Sequence, residues 1–124
     1  MNVILWVLSG LLAAAFLFSG ATKELRSKQE LIASGLSLYE GWPPAAIKAL
    51  GVVELLGALG VILPAVTGIA PILVPLAASG LAVTMIGAMV VHARRREFPY
   101  MGLNLVLLIL AAVVAWGRFG PYAL

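Results

Sequence analysis

Apolar side chains run through this chain in four long stretches, approximately 3–22, 45–63, 70–92 and 99–118, parted by short segments that hold most of its charge. Each stretch approaches or exceeds the roughly 20 apolar residues that an α-helix needs to cross the hydrocarbon core of a bilayer. The pattern therefore predicts an all-α, polytopic membrane protein: a four-transmembrane-helix bundle forming a single domain over residues 1–124. Little chain is left over, so no soluble catalytic or nucleic-acid-binding domain fits. The first stretch is read as a retained span and not a signal peptide, because Met1-Asn2-Val3 carries no basic side chain and the apolar run continues to Lys23.

The connections differ in kind. Residues 24–35 can form a short amphipathic helix, with Leu25, Ile32 and either Lys28 or Gln29 at helical spacing among interspersed charges. Leu36, Leu38, Tyr39 and Trp42 are expected to pack this connector against the bundle or the headgroup layer. Pro43 and Pro44 suit the entry of the second span, where a missing N–H costs nothing. Pro64-Ala65-Val66-Thr67-Gly68 reads as a compact breaker after the second span. Pro71 and Pro75 fall near the start of the third. Trp6, Tyr100 and Trp116 lie near span ends, where amphipathic rings anchor helices at the membrane interface.

Composition agrees with this reading: 63% of the residues are hydrophobic, 10% are charged and the mean hydropathy is +1.11. The absence of cysteine excludes disulfides, thiolate catalysis and thiolate metal ligands within the chain. The net charge of +3 is not a nucleic-acid footprint, because the basic residues mark span boundaries. Lys23, Arg26, Lys28, Lys48, Arg94, Arg95 and Arg96 fall on one side of the membrane and Arg118 alone on the other. The positive-inside rule then predicts a bacterial cytoplasmic (inner) membrane protein with both termini outside the cytoplasm. The same arginine run can attract anionic lipid headgroups.

Against this apolar background the few polar positions stand out. Glu54 lies about 14 Å along the second span at 1.5 Å per residue, deep enough that its carboxyl must be paired, hydrated or neutral. Lys23 closes the first span, His92 closes the third, Asn104 lies one to two turns into the fourth, and Thr84 sits about two turns outward from His92. Together they predict a polar column from the basic side toward the middle of the membrane, with Lys23 the natural partner of Glu54 because its aliphatic stem can cross apolar surface. Ser19 and Thr22 can satisfy polar groups beside Lys23. Gly51, Glu54 and Ala58 share one face of the second span, and Gly57 lies beside it. Gly80, Thr84, Gly87 and Ala88 offer a comparable small surface on the third, which suits close helix packing. One histidine and one carboxylate do not make a metal site, so none is predicted.

The whole chain resembles the DoxX-like family of small bacterial integral membrane proteins. The resemblance is carried by Phe18-Ser19-Gly20-Ala21-Thr22-Lys23, by Lys48 with Gly51-Val52-Val53-Glu54-Leu55-Leu56-Gly57-Ala58, by Leu63-Pro64-Ala65-Val66-Thr67-Gly68, by the segment from Thr84 to His92, and by Asn104. It implies a functional polar pocket involving Lys23, Glu54, His92 and Asn104; with Thr84 from the polar column, these are the candidate ligand-binding residues. It also implies links to quinone-coupled sulfur oxidation and to membrane complexes that respond to oxidative stress. The expected function is a small membrane accessory or ligand-binding protein. Its expected partners are membrane lipids, a quinone or other lipid-soluble molecule, and a membrane protein or a second copy of the chain. An intramembrane enzyme is the alternative, with Glu54 as general acid or base and Lys23 and His92 beside it as catalytic residues; a small-solute transporter is the third reading. The sequence names no cofactor.

Overall fold

The computed structural model describes residues 2–33, 37–96 and 98–124, with backbone only at 37–38 and 98–100. Its elements are α1 (Asn2–Leu25), α2 (Lys28–Ala33), a 3-10 turn (Ser37–Gly41), α3 (Pro44–Thr67), α4 (Leu73–Arg94) and α5 (Phe98–Phe119). Four of these helices are long and apolar enough to cross a membrane: Asn2–Leu25, Pro44–Thr67, Leu73–Arg94 and, within α5, Met101–Phe119. The molecule is an all-α four-helix bundle and a polytopic membrane protein.

Each long helix buries one stripe and turns large apolar side chains outward. On α1 the buried stripe is Leu5, Ser9, Leu12, Ala13, Phe16, Gly20 and Lys23; on α3 it is Ile47, Gly51, Glu54, Ala58, Val61 and Pro64. Steps of three and four residues return to the same face of a 3.6-residue helix. Outward-facing side chains such as Ile4, Val7, Leu11, Leu56, Val83, Ile86, Val106 and Ile109 are exposed and apolar, a surface matched to lipid and not to water. The neighbours around the bundle are α1–α3, α3–α4, α4–α5 and α5–α1; the last is the least extensive of the four pairs. The core is a small-residue mixture, with Leu12, Phe16, Ala58, Val61, Ala78, Leu81, Met85, Ala111 and Val114 in mutual contact.

Packing between helices rests on glycine at four places. A Cβ at Gly20 would stand 2.8 Å from the carbonyl oxygen of Gly51, one at Gly57 would meet Leu81, one at Gly60 would meet Ala77, and one at Gly117 would meet Leu5. Gly80 and Gly87, expected to join the close-packed surface of the third span, do not: a Cβ at either meets nothing within 4 Å. Their spacing fits a helical face, but that face is not the one buried, which runs through Val74, Ala78, Leu81, Met85 and His92.

Two proline readings divide. Pro44 occupies the first turn of α3, as expected. Pro64, however, does not break the second span. It lies buried inside α3, which continues to Thr67 and ends at Gly68 in the left-handed region (φ 73°), where the Gly68 N–H bonds to the Pro64 carbonyl at 3.0 Å. Glycine supplies that stop because it has no Cβ to clash at positive φ. Pro75 falls in the first turn of α4, among the N–H groups that have no partner within a helix anyway.

The connector is shorter and tighter than the amphipathic helix expected over 24–35. α1 continues to Leu25, which is exposed, and α2 begins only at Lys28. Ser27 opens α2 with a reciprocal cap: the Glu30 N–H donates to the Ser27 hydroxyl at 3.1 Å, and the Ser27 N–H donates to the Glu30 carboxylate at 3.3 Å. Leu31, Tyr39 and Ile47 form a buried cluster with Ile32 and Trp42 packed against it, so the connector folds back onto the start of α3. Lys28 Nζ donates to the Glu40 carbonyl at 3.0 Å, and Lys48 Nζ donates to the Glu24 carbonyl at 2.9 Å, which satisfies one of the last free carbonyls of α1. Ser34, Gly35 and Leu36, together with the side chains of Leu38 and Tyr100, lie outside the described residues.

Candidate functional site

Lys23 and Glu54 form an ion pair of 2.9 Å between Lys23 Nζ and Glu54 Oε1, with both side chains more than nine-tenths buried. Backbone geometry explains why a residue at the end of one helix meets one far along another. α1 and α3 are antiparallel and approach closely where Gly20 faces Gly51; Lys23 and Glu54 each lie three residues beyond that crossing. Side chains on a helix lean toward its N-terminus. Lys23 therefore leans deeper into the bundle and Glu54 leans toward the connector, so the two converge. The stem of Lys23 passes over Gly51, where an added Cβ would stand 2.8 Å from Lys23 Cβ. Lys23 Nζ also donates to the Ser19 hydroxyl at 2.6 Å, and the Thr22 hydroxyl donates to the Ser19 carbonyl at 2.8 Å. The ammonium is thus held by two oxygens before any ligand is considered.

This pair forms part of the wall of a cavity of about 690 Å³. α1 lines it with Phe16, Phe18, Ser19, Thr22 and Lys23; α3 with Leu50 and Glu54; α4 with Thr84, Met85, Gly87, Ala88, Val91 and His92; and α5 with Leu103, Asn104 and Leu107. Tyr39 and Trp42 reach it from the connector, stacked edge to face with ring centroids 5.2 Å apart. All five residues expected in the polar column, Lys23, Glu54, Thr84, His92 and Asn104, line this one space.

They are not equivalent there. His92 is buried at the end of α4, and Thr84 donates its hydroxyl to the Gly80 carbonyl of its own helix at 2.9 Å. Asn104 is 8% exposed, and its Nδ2 is buried with no hydrogen-bond partner. An amide donor in that condition costs on the order of 1–3 kcal/mol unless something accepts from it. Among the described residues of the cavity lining, Asn104 is the one whose side chain holds a buried polar atom without a partner. Among the described residues no three histidine or acidic side chains gather as a metal-binding set.

Tyr39 had no assigned place in the polar column. The structure buries it to 5% exposure at the connector face of the cavity, and burial raises its phenol above the ordinary value, with the Glu54 charge adding in the same direction. The signal in the sequence was an aromatic pair, Tyr39 and Trp42, just ahead of two prolines. It marks a turn that packs inward, but not what it packs against. Glu24 was also missed: its Oε1 is buried without a partner against Gly51.

A family model described as the DoxX-like family matches residues 7–114. The chain belongs to the DoxX-like family. No match is found among curated proteins or among solved structures. The matched region holds α1 from its second turn, the whole connector, α3, α4 and most of α5, and so contains every residue of the cavity.

Proposed function

We propose that this DoxX-like protein binds a lipid-soluble molecule with a polar, hydrogen-bond-accepting head in the cavity between α1, α4 and α5. The observation that carries the reading is the unsatisfied Nδ2 of Asn104, buried in the wall of a mostly apolar space of about 690 Å³, a volume in the range of small-molecule sites. Lys23 and Glu54 supply a fixed dipole on the wall, while Phe16, Met85, Val91 and Leu107 offer contact for an apolar body. A quinone fits this description, since its carbonyl oxygens accept and its tail is apolar. The protein then acts as an accessory that holds such a molecule for a redox partner in the same membrane. The basic side chains at the connector end support placement in a bacterial inner membrane with that end in the cytoplasm and both termini outside.

The test is purification in lipid nanodiscs followed by mass analysis of retained small molecules. Gly87→Leu is the informative variant, because Gly87 lines the cavity and a Cβ there meets nothing, so the new side chain fills space without displacing a helix. The wild type is expected to retain an apolar species with a carbonyl-bearing head, and Gly87→Leu to lose it while remaining folded. A wild type that retains nothing, or a variant that retains the same species, overturns the reading. Glu54→Gln separates binding from intramembrane acid–base catalysis: for a binding protein the wild type and the variant leave the bound species chemically unchanged, whereas an enzyme converts it in the wild type and not in the variant.

A further inference from the structure

The charged and most strongly polar side chains of the cavity lining are buried, whereas its most exposed side chains are apolar. Lys23, His92, Asn104 and Tyr39 are each at most 8% exposed, and they crowd the connector end. The openly exposed lining residues carry no polar side chain: Phe18 on α1 at 72%, Leu103 on α5 at 61%, and Gly87 on α4. Both helices run at the membrane-facing surface, and α1–α5 is the least extensive of the four helix pairs. At its far end this pair is fastened. Gly117 takes Leu5 so closely that a Cβ would stand 2.6 Å from Leu5 Cδ1, and Arg118 Nη1 donates to Asn2 Oδ1 at 2.6 Å. Toward the connector α1 instead turns Phe18, Ser19 and Thr22, and α5 turns Leu103, Asn104 and Leu107, into the cavity. On the aqueous side the opening is covered by Tyr39 and Trp42, backed by Leu31 and Ile47.

We infer that the cavity is entered sideways from the bilayer, through a gap between α1 and α5 bordered by Phe18 and Leu103, with the accepting head of the ligand at Asn104 and its apolar tail left in the gap. The inference rests on the ligand-binding reading for its occupant, but the route is a property of the helix bundle itself. Passage of an apolar tail across this border exposes no backbone polar group to lipid, since helices satisfy their own. Entry from water would instead have to displace the buried Tyr39, the partly buried Trp42 and the cluster beneath them.

The cysteine-free sequence makes the route directly measurable. Ala88→Cys places one thiol on the cavity wall. In vesicles, pyrene-maleimide dissolved in the bilayer is expected to label it, and a sulfonated, membrane-impermeant maleimide supplied on both sides is not. The ratio of the two rates cancels the thiolate fraction, which both reagents share. Adding Leu103→Trp is expected to slow the lipid-phase reagent several-fold and Phe18→Ala to speed it. Val83→Trp, at an exposed apolar position outside the cavity lining, leaves the rate unchanged. Equal labelling by the impermeant reagent overturns the route, as does an equal effect of Leu103→Trp and Val83→Trp. Lateral labelling with no retained ligand leaves the route standing and sinks the occupant; a retained ligand with aqueous labelling does the reverse.

Discussion

The two ends of the bundle each bury a cation, and they treat it in opposite ways. At the connector end Lys23 is matched by a carboxylate at 2.9 Å and the pair stands on the wall of a large cavity. At the far end Arg118, 3% exposed, has no carboxylate among its described partners. It is held by the Asn2 side chain at 2.6 Å, the Tyr122 carbonyl at 3.0 Å and the face of Trp6 at 5.7 Å, in a seam closed by Gly117 against Leu5. One end joins charge to open volume and the other joins charge to close packing. The first is suited to receiving a molecule; the second fastens the first and last helices together.

The largest effect that separates the ends is expected at the ion pair. Lys23→Met leaves Glu54 buried without its partner, which costs about 3–5 kcal/mol, whereas Lys23→Met combined with Glu54→Leu recovers much of that loss because the desolvation of both charges disappears. Unfolding in mixed micelles, monitored by circular dichroism, measures the two variants against the wild type. A double variant no more stable than Lys23→Met would show that the pair holds the fold through more than mutual neutralisation. Arg118→Met comes next, with about 1.5–3 kcal/mol for the charge-assisted bond to Asn2. It loosens the far end without touching the cavity, so ligand retention in nanodiscs is expected to stay at the wild-type level. Retention that falls with Arg118→Met would mean that the two ends are coupled.

Glycines sharpen the contrast further. Gly20→Ala drives a methyl to 2.8 Å from the Gly51 carbonyl, a backbone atom that cannot swing aside, and overpacking of this kind costs about 1–3 kcal/mol. Gly87→Ala meets nothing and is expected to be neutral or slightly stabilising, since alanine favours a helix by up to about 1 kcal/mol over glycine. Thermal midpoints of the two variants compare them directly, and equal midpoints would remove the distinction between packing glycine and cavity glycine.

That distinction was not legible in the sequence, and the reason is physical. Periodicity told which residues share a face, and the convergence of Lys23, Glu54, Thr84, His92 and Asn104 followed because polar groups in an apolar chain must turn inward together. It did not tell which of two small-residue faces on α4 is buried, because lipid and core are equally apolar and glycine is welcome in both. Pro64 misled for a related cause. A proline is read as a breaker because it removes one N–H bond, yet the helix carries on through it, and the true stop is the positive φ of Gly68. Arg118 read as a lone topological charge, since its side-chain partner Asn2 lies at the opposite end of the chain. Cavity volume itself is a property of packing in three dimensions, and no local pattern records it.

The smallest effect concerns Tyr39, which is buried at the connector end, whereas Tyr122, paired edge to face with Trp116 at the other end, is exposed. The Tyr39 phenol is raised above the ordinary value near 10, first by burial and then by the Glu54 charge. In the unfolded chain the same group ionises near that ordinary value. Below about pH 10 the phenol is neutral in both states, so its contribution to stability is fully present. Above it the unfolded chain releases a proton that the folded chain keeps, and stability falls with rising pH by at most about 1.4 kcal/mol per pH unit for the single proton. Tyr39→Phe has no such proton. Near neutral pH the variant is expected to differ from the wild type by no more than about 1 kcal/mol, the scale of one hydrogen bond. The informative quantity is the difference between the two stability curves, because the lysines that also titrate there are common to both. That difference is expected to be flat from pH 6 to about 10 and then to shift in favour of Tyr39→Phe. Curves that stay parallel through pH 11 would mean that water reaches the phenol, and with it the connector end of the cavity.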